Sequence, residues 1–234
     1  MPVAKTTKNS RPPRSFPPSL AGTCLRYAVM EVLGFGRLID EESQLAMHAG
    51  SALHKTFQEE LMRGRAMCRV EVAVKDETWG VSGRMDALLE TGKGALVVEY
   101  KTVASQRFDA IAADGPLFSH WAQLQLYIAV GQLAGGVLVV DERPQGRRII
   151  FSADPDPSWT VWLKARISQV KQHQSMRKLP EREISSACLT CDRWRRCFAD
   201  PDVRDREVVA HPQWEPRPVA PDTRRFHLAS DIVS

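Results

Sequence analysis

The stretch Ala95–Thr102, ALVVEYKT, begins as a strand built for burial and ends with an acid and a base. Side chains alternate faces along a strand, so Glu99 and Lys101 point one way and Tyr100 the other. Just before it, Thr91–Gly94 reads TGKG, the glycine-first order of a two-residue type II′ hairpin with Gly92 and Lys93 as its loop. Thr91 then pairs with Gly94, and counting back along both strands puts Asp86 opposite Glu99. Directly opposed residues have Cβ atoms roughly 4.5–5.5 Å apart, and like charges there repel. Two acids on one face of an apolar hairpin therefore need a cation. Lys101 is one candidate. The stronger is Mg2+ or Mn2+, which suits carboxylates and keeps several of its own waters. Acids, a divalent ion and a lysine make phosphodiester hydrolysis intelligible: the ion activates water and neutralises charge on the phosphate, and the lysine orients or deprotonates the attacking water. The competing reading is an exposed edge hairpin with solvated acids and a Glu99–Lys101 ion pair. The flanking LVV and MDALL runs oppose it, because buried acids seldom lack partners.

The elements that must position these residues can be read from periodicity. Residues 19–34 have a helical pattern, with Ser19 as a possible cap and Gly34 as a stop; residues 41–64 form a longer helix ending at Gly64. On the second helix Met47, Gly50, His54, Phe57 and Leu61 share one face. Three strand-like runs follow (69–75, 79–90, 95–102), then a helix over 117–135 that is apolar nearly all round and so buried. Two more strands (136–142, 147–153) and an amphipathic helix (157–175) complete the body. The order implies an α/β fold, a mixed central sheet flanked by helices. Taken alone, His54 could equally be a satisfied core histidine. Gln123 and Tyr127, four apart on the apolar helix, could be polar tips at a helix–sheet junction, and Gln125 rivals Gln123.

In this order and spacing, GSALHKTFQEE, GRMDALLE, EYK thirteen residues after Asp86, and QLQLY resemble the PD-(D/E)XK nuclease superfamily, in its RecB-like branch. The resemblance covers about Cys24–Cys197 and implies a restriction-endonuclease-like core. It also implies roles: His54, Asp86, Glu99 and the backbone carbonyl of Tyr100 as metal ligands, Lys101 serving the attacking water, and Gln123 and Tyr127 positioning the scissile strand or supporting the lysine.

CLTCDRWRRC sets Cys188, Cys191 and Cys197 in a C-x2-C-x5-C pattern. Three thiols so close together in a cytosolic protein read as a metal site rather than disulfides. Cys24 and Cys68 remain for a fourth ligand, and Cys68, inside a strand run, reads better as a small core residue. Spacing alone allows Zn2+ or an iron–sulfur cluster. Iron–sulfur RecB-like nucleases, among them the CRISPR-associated exonuclease and the AddB nuclease domain, carry one cysteine before the core and three after it. That resemblance implies a [4Fe–4S] cluster on Cys24, Cys188, Cys191 and Cys197, joining the N-terminal helix to the C-terminal segment. Arg193, Arg195 and Arg196 with Trp194 would suit a single-stranded nucleic-acid track, or be a solvated basic turn.

The chain has 234 residues, 43% of them hydrophobic, and a net charge of +4, which excludes wholesale disorder and permits a nucleic-acid partner. No apolar run approaches the roughly 18 residues of a membrane span, and no apolar signal core leads the chain, so the expectation is cytoplasmic. Residues 1–18 read as a disordered basic tail, 19–198 as the nuclease domain with its staple, and 199–234 as an irregular arm. The resemblance points to an exonuclease acting on DNA with free ends, single-stranded DNA above all, in recombination, repair, phage replication or CRISPR adaptation. No helicase-like segment is visible, so unwinding would need a partner. The alternative is a DNA-end-binding component of an integrase or recombinase complex with little cleavage of its own, or a zinc-stapled binding protein with a decayed core.

Overall fold

The computed structural model describes residues 15–37, 39, 41–64, 67–143, 146–213 and 224–225. The apolar runs become β1 (Cys68–Asp76), β2 (Val81–Thr91) and β3 (Gly94–Ala104), an antiparallel meander. β4 (Gly135–Arg143) lies parallel to β3, and β5 (Arg148–Ala153) returns antiparallel with the two-residue β6 (Arg224–Arg225) beside it. The result is one mixed sheet of six strands in sequence order. A parallel neighbour needs a crossover, which α3 (Ser105–Asp114) and α4 (Phe118–Gly131) supply between β3 and β4.

Helices close both faces. The stripe on α2 (Glu41–Gly64) buries Phe57 and Leu61 against Ala87, Leu89, Val98 and Tyr100. On the other face, α4 sets Trp121, Leu124 and Ile128 on Met85, Leu88, Val97 and Leu138. α1 (Leu25–Val32) and α5 (Pro157–Met176) then cover the back of α4 through Ala122, Leu126, Leu163 and Ile167. That sandwich explains why Trp121 to Ile128 is buried without a break. Each fully buried Leu or Ile contributes about 1.5–3 kcal/mol. The α/β architecture expected from the order of elements is the one observed.

Four local expectations change. Thr91 does pair with Gly94, but the positive φ (116°) falls on Gly94 and not on Gly92, so the turn is not type II′. The crossover contains α3, buried through Phe108 and Ile111 and stopped by Gly115 at φ 101°. The segment after Phe198 is not wholly irregular: Asp200 caps α6 (Pro201–Ala210), whose Val208 packs on Ile184 and Phe198. Of the expected N-terminal tail, residues 1–14 lie outside the described residues. Phe16, within the remainder, is buried and donates its N–H to the Gly80 carbonyl at 2.8 Å. Among the described residues no helix is long and apolar enough to cross a membrane.

Candidate active site

β2 and β3 pair from the turn to Ala87–Val98 in the expected register and then part, so Asp86 and Glu99 are not a ladder pair. The split comes where β2 turns its faces over, at Asp86 itself. Freed from the ladder, the Asp86 carboxylate accepts the backbone N–H of Tyr100 at 2.8 Å and lies 3.5 Å from Nδ1 of His54 on α2. Glu99 points to the α4 side and is 2% exposed. Its Oε1 meets the Lys101 ammonium at 2.7 Å; its Oε2 is buried with no hydrogen-bond partner. Burial pushes the Glu99 carboxyl up to about 7, against the pull of Lys101 and with a further push from the charge of Asp86. The charge of Asp86 still disfavours ionisation of Glu99, but the two acids are not directly opposed on one face as the hairpin reading required.

Lys101 also donates to Oε1 of Gln123 at 3.1 Å, so α4 and β3 hold the ammonium between them. Gln123 hydrogen-bonds Tyr127, whose hydroxyl donates to the Arg84 carbonyl at 2.6 Å and whose ionisation is disfavoured, first by burial. Gln125 is engaged elsewhere, donating to the Asp154 carbonyl at 3.0 Å, which separates the two glutamines in favour of Gln123. Tyr100 projects to the α2 side, stacked on Phe57 and edge-on to His54, with its hydroxyl on Asp141 at 2.8 Å. Lys101 opens onto a cleft of about 870 Å3 between α2 and the ends of β3 and β4, with Ser51, Lys55 and Arg143 on its walls.

All the candidate residues therefore gather at one end of β3. Among the described residues, no three His, Cys, Asp or Glu side chains converge closely enough to hold a metal ion. The orphaned Oε2 of Glu99 nevertheless fits one: a buried carboxylate oxygen without a donor is costly unless a cation meets it. Sequence reasoning missed His120, one turn before Gln123. Burial, then the charges of Lys101 and Arg107, push it down to about 3, so it is neutral; a histidine in an apolar helix carries no signal of that.

The cysteines form a second constellation. Cys24 caps α1, its Sγ accepting from the Tyr27 N–H, and lines one cavity with Cys188, Cys191 and Cys197. Cys68 instead starts β1 and packs on the α2-side core. Burial pushes the Cys24 thiol up to about 12 and Cys191 to about 11, so without a bound metal both stay protonated. Four soft donors line one apolar pocket, the chemistry a thiolate-held metal needs, although as placed they do not converge closely enough to hold an ion. The cavity, about 20 Å3, has room for roughly one water-sized body as it stands. The arginines of this loop do not act alike. Arg193 is 2% exposed, paired with Glu31 and donating to the Phe35 carbonyl at 2.5 Å, which removes it from any nucleic-acid track. Arg195 lies over Trp194 and Arg196 over Phe35.

A family model described as the PD-(D/E)XK nuclease superfamily matches residues 19–198. Among solved structures, the chain is similar to SSO0001 (21% identity, TM-score 0.51, covering 82% of this chain and 89% of that one). It is also similar to the alkaline exonuclease LHK-Exo from Laribacter hongkongensis (11% identity, TM-score 0.55, covering 70% and 90%) and to the same enzyme in complex with dAMP (13%, 0.56, with the same coverage). At these identities the likeness is one of fold. No curated protein sequence matches the chain.

Proposed function

Since the chain belongs to the PD-(D/E)XK nuclease superfamily, we propose that it is a cytoplasmic, metal-dependent deoxyribonuclease that degrades DNA from free ends, single-stranded DNA above all. The observation that carries this reading is the buried, donor-less oxygen of Glu99 beside Asp86 and Lys101. Asp86, Glu99, His54 and the Tyr100 carbonyl would hold Mg2+ or Mn2+. When bound, the ion supplies an activated water and neutralises charge on the phosphate. Lys101, pinned by Glu99 and Gln123, presents its ammonium to the oxygens on which negative charge grows and orients the attacking water. Tyr127 and Gln123 fix the lysine and the β2 backbone relative to each other. The cleft beside Lys101 is lined by Lys55, Arg143, Ser51 and Thr102, which suit a phosphodiester backbone, with Glu71 as the one acid among the described residues on its wall. The exonuclease assignment draws on the name of the neighbouring alkaline exonuclease and on its dAMP complex.

For the cysteines we infer a structural metal staple between α1 and the C-terminal loop. The sequence resemblance favours [4Fe–4S], and the cysteine spacing leaves zinc as a second reading. Anaerobic purification distinguishes them: a brown protein absorbing near 400 nm means iron–sulfur, and a colourless one with about one zinc per chain means zinc. The same preparation is assayed on end-labelled single- and double-stranded DNA with Mg2+ or Mn2+, beside Lys101→Ala. Loss of labelled ends in the wild type alone supports the nuclease reading. Equal degradation by both chains rejects the assignment of this site.

A further inference from the structure

β1 and β2 keep one register from end to end, yet their ladder has a gap. Val70 pairs with Ala87 and Val72 with Met85, while Glu71 and Asp86 between them are unpaired. Residues two apart on a strand normally share a face. Here Val70 and Ala87 pack on the α2 side with Phe57 and Leu61, whereas Val72 and Met85 belong to the α4-side core around Trp121 and Leu124. Both strands therefore turn over at this single step. The backbone marks the place: Glu71 adopts φ 53°, the left-handed region that a residue with a Cβ seldom enters. The other described non-glycine residues with positive φ, Gln132 and Arg177, are ordinary helix C-caps. Glu71 alone of these sits inside a strand.

The turnover does something for the site. A simply alternating β2 would turn Asp86 wholly to the α4 side with Leu88, away from His54 on α2. Instead, one carboxylate reaches both the Tyr100 N–H and His54 while remaining close enough to Glu99 to repel it. The Glu71 side chain then secures the step from two directions. Its Oε1 accepts from Gln58 at 2.6 Å, one helical turn after His54, and its Oε2 pairs with Arg84 Nε at 2.5 Å. The carbonyl of Arg84 is the acceptor for Tyr127.

We propose that Glu71 is a positioning residue of this site: its left-handed step turns β1 and β2 over, and its carboxylate ties α2 to β2, so that Asp86 leaves the ladder and faces Tyr100 and His54. This rests on the reading of Asp86 as a metal-holding acid. The test is Mn2+ affinity by titration calorimetry on the full chain, with kcat and KM on end-labelled DNA beside it. Gly and Asn accept a left-handed backbone, whereas a β-branched residue does not. Glu71→Gly and Glu71→Asn keep the left-handed step and lose only a tie between exposed groups, and are expected to bind Mn2+ within about fivefold of the wild type. Glu71→Val is expected to bind at least about tenfold more weakly and to lose about a hundredfold in kcat with KM little changed, at unchanged circular dichroism. Equal Mn2+ affinities of Glu71→Val and Glu71→Gly overturn the proposal. Should Glu71→Val not fold, Glu71→Ala replaces it: a gap of about threefold or more below Glu71→Gly supports the proposal, and no gap overturns it. Asp86→Ala separates the two levels. If it binds Mn2+ like the wild type, the reading of the site itself fails; if it loses binding while Glu71→Val keeps it, only the role of Glu71 fails.

Discussion

Replacing Glu99 by Gln should change how the stability of the metal-free protein depends on pH. Glu99 is 2% exposed, and burial raises its carboxyl from the ordinary 4.5 to about 7. Below pH 4.5 both the folded and the unfolded chain carry the proton, and Glu99 costs nothing. Between 4.5 and about 7 the unfolded chain releases the proton while the folded chain keeps it, so stability falls as pH rises. Above about 7 the loss is complete, at roughly 3 kcal/mol. The amide of the Glu99→Gln variant retains an acceptor for Lys101 but has nothing to titrate; losing the anion adds an offset and no slope. Urea unfolding of both chains, in buffer freed of divalent ions, is measured from pH 4.5 to 8. The stability of Glu99→Gln minus that of wild type should grow by roughly 3 kcal/mol over that range, about 1–2 M in urea midpoint for a typical slope. A difference that stays constant within about 0.5 kcal/mol would refute the reasoning, because Glu99 would then titrate as a solvated acid.

Other substitutions probe the remaining parts. Lys101→Ala should lower kcat by about 10²–10⁴ and also lower the urea midpoint, because the buried Glu99 loses its cation, read from end-labelled DNA and unfolding curves. Tyr127→Phe strips the hydroxyl from the 2.6 Å bond to the Arg84 carbonyl and should cost about 1–3 kcal/mol in urea unfolding. Arg193→Met leaves Glu31 with Arg37 alone as its cationic partner and should destabilise by about 1–3 kcal/mol, with the cysteine loop opening first in hydrogen exchange. Cys24→Ser should lose most of the bound iron or zinc, whereas Cys68→Ser keeps it, as read by elemental analysis.

The hairpin register was legible because a short turn and an apolar run on each side allow only one alignment, and the sheet follows it down to Ala87–Val98. The parting beyond that point was not, because it depends on Glu71 entering the left-handed region, and a glutamate in a strand run announces nothing of the kind. Asp86 and Glu99 were identified by type and spacing, while their distinct surroundings, one on a backbone N–H and the other half-orphaned in the core, come from tertiary packing. α3 was hidden because only Phe108 and Ile111 carry its apolar face. α6 did carry a start signal, Asp200 followed by Pro201, but the proline and charge content around it pointed to an irregular arm. Arg193 shows the limit of charge counting: in a run of arginines it looks solvated, and only the approach of Glu31 and the Phe35 carbonyl makes it a buried group.

The central claim is that the end of β3 holds a divalent ion between the carboxylates of Asp86 and Glu99. Crystals soaked in Mn2+ and measured at the manganese absorption edge test it directly. The account predicts an anomalous peak between those two carboxylates, lost in Asp86→Asn. Manganese bound only elsewhere in an otherwise intact fold, with both carboxylates where they are now, would contradict it.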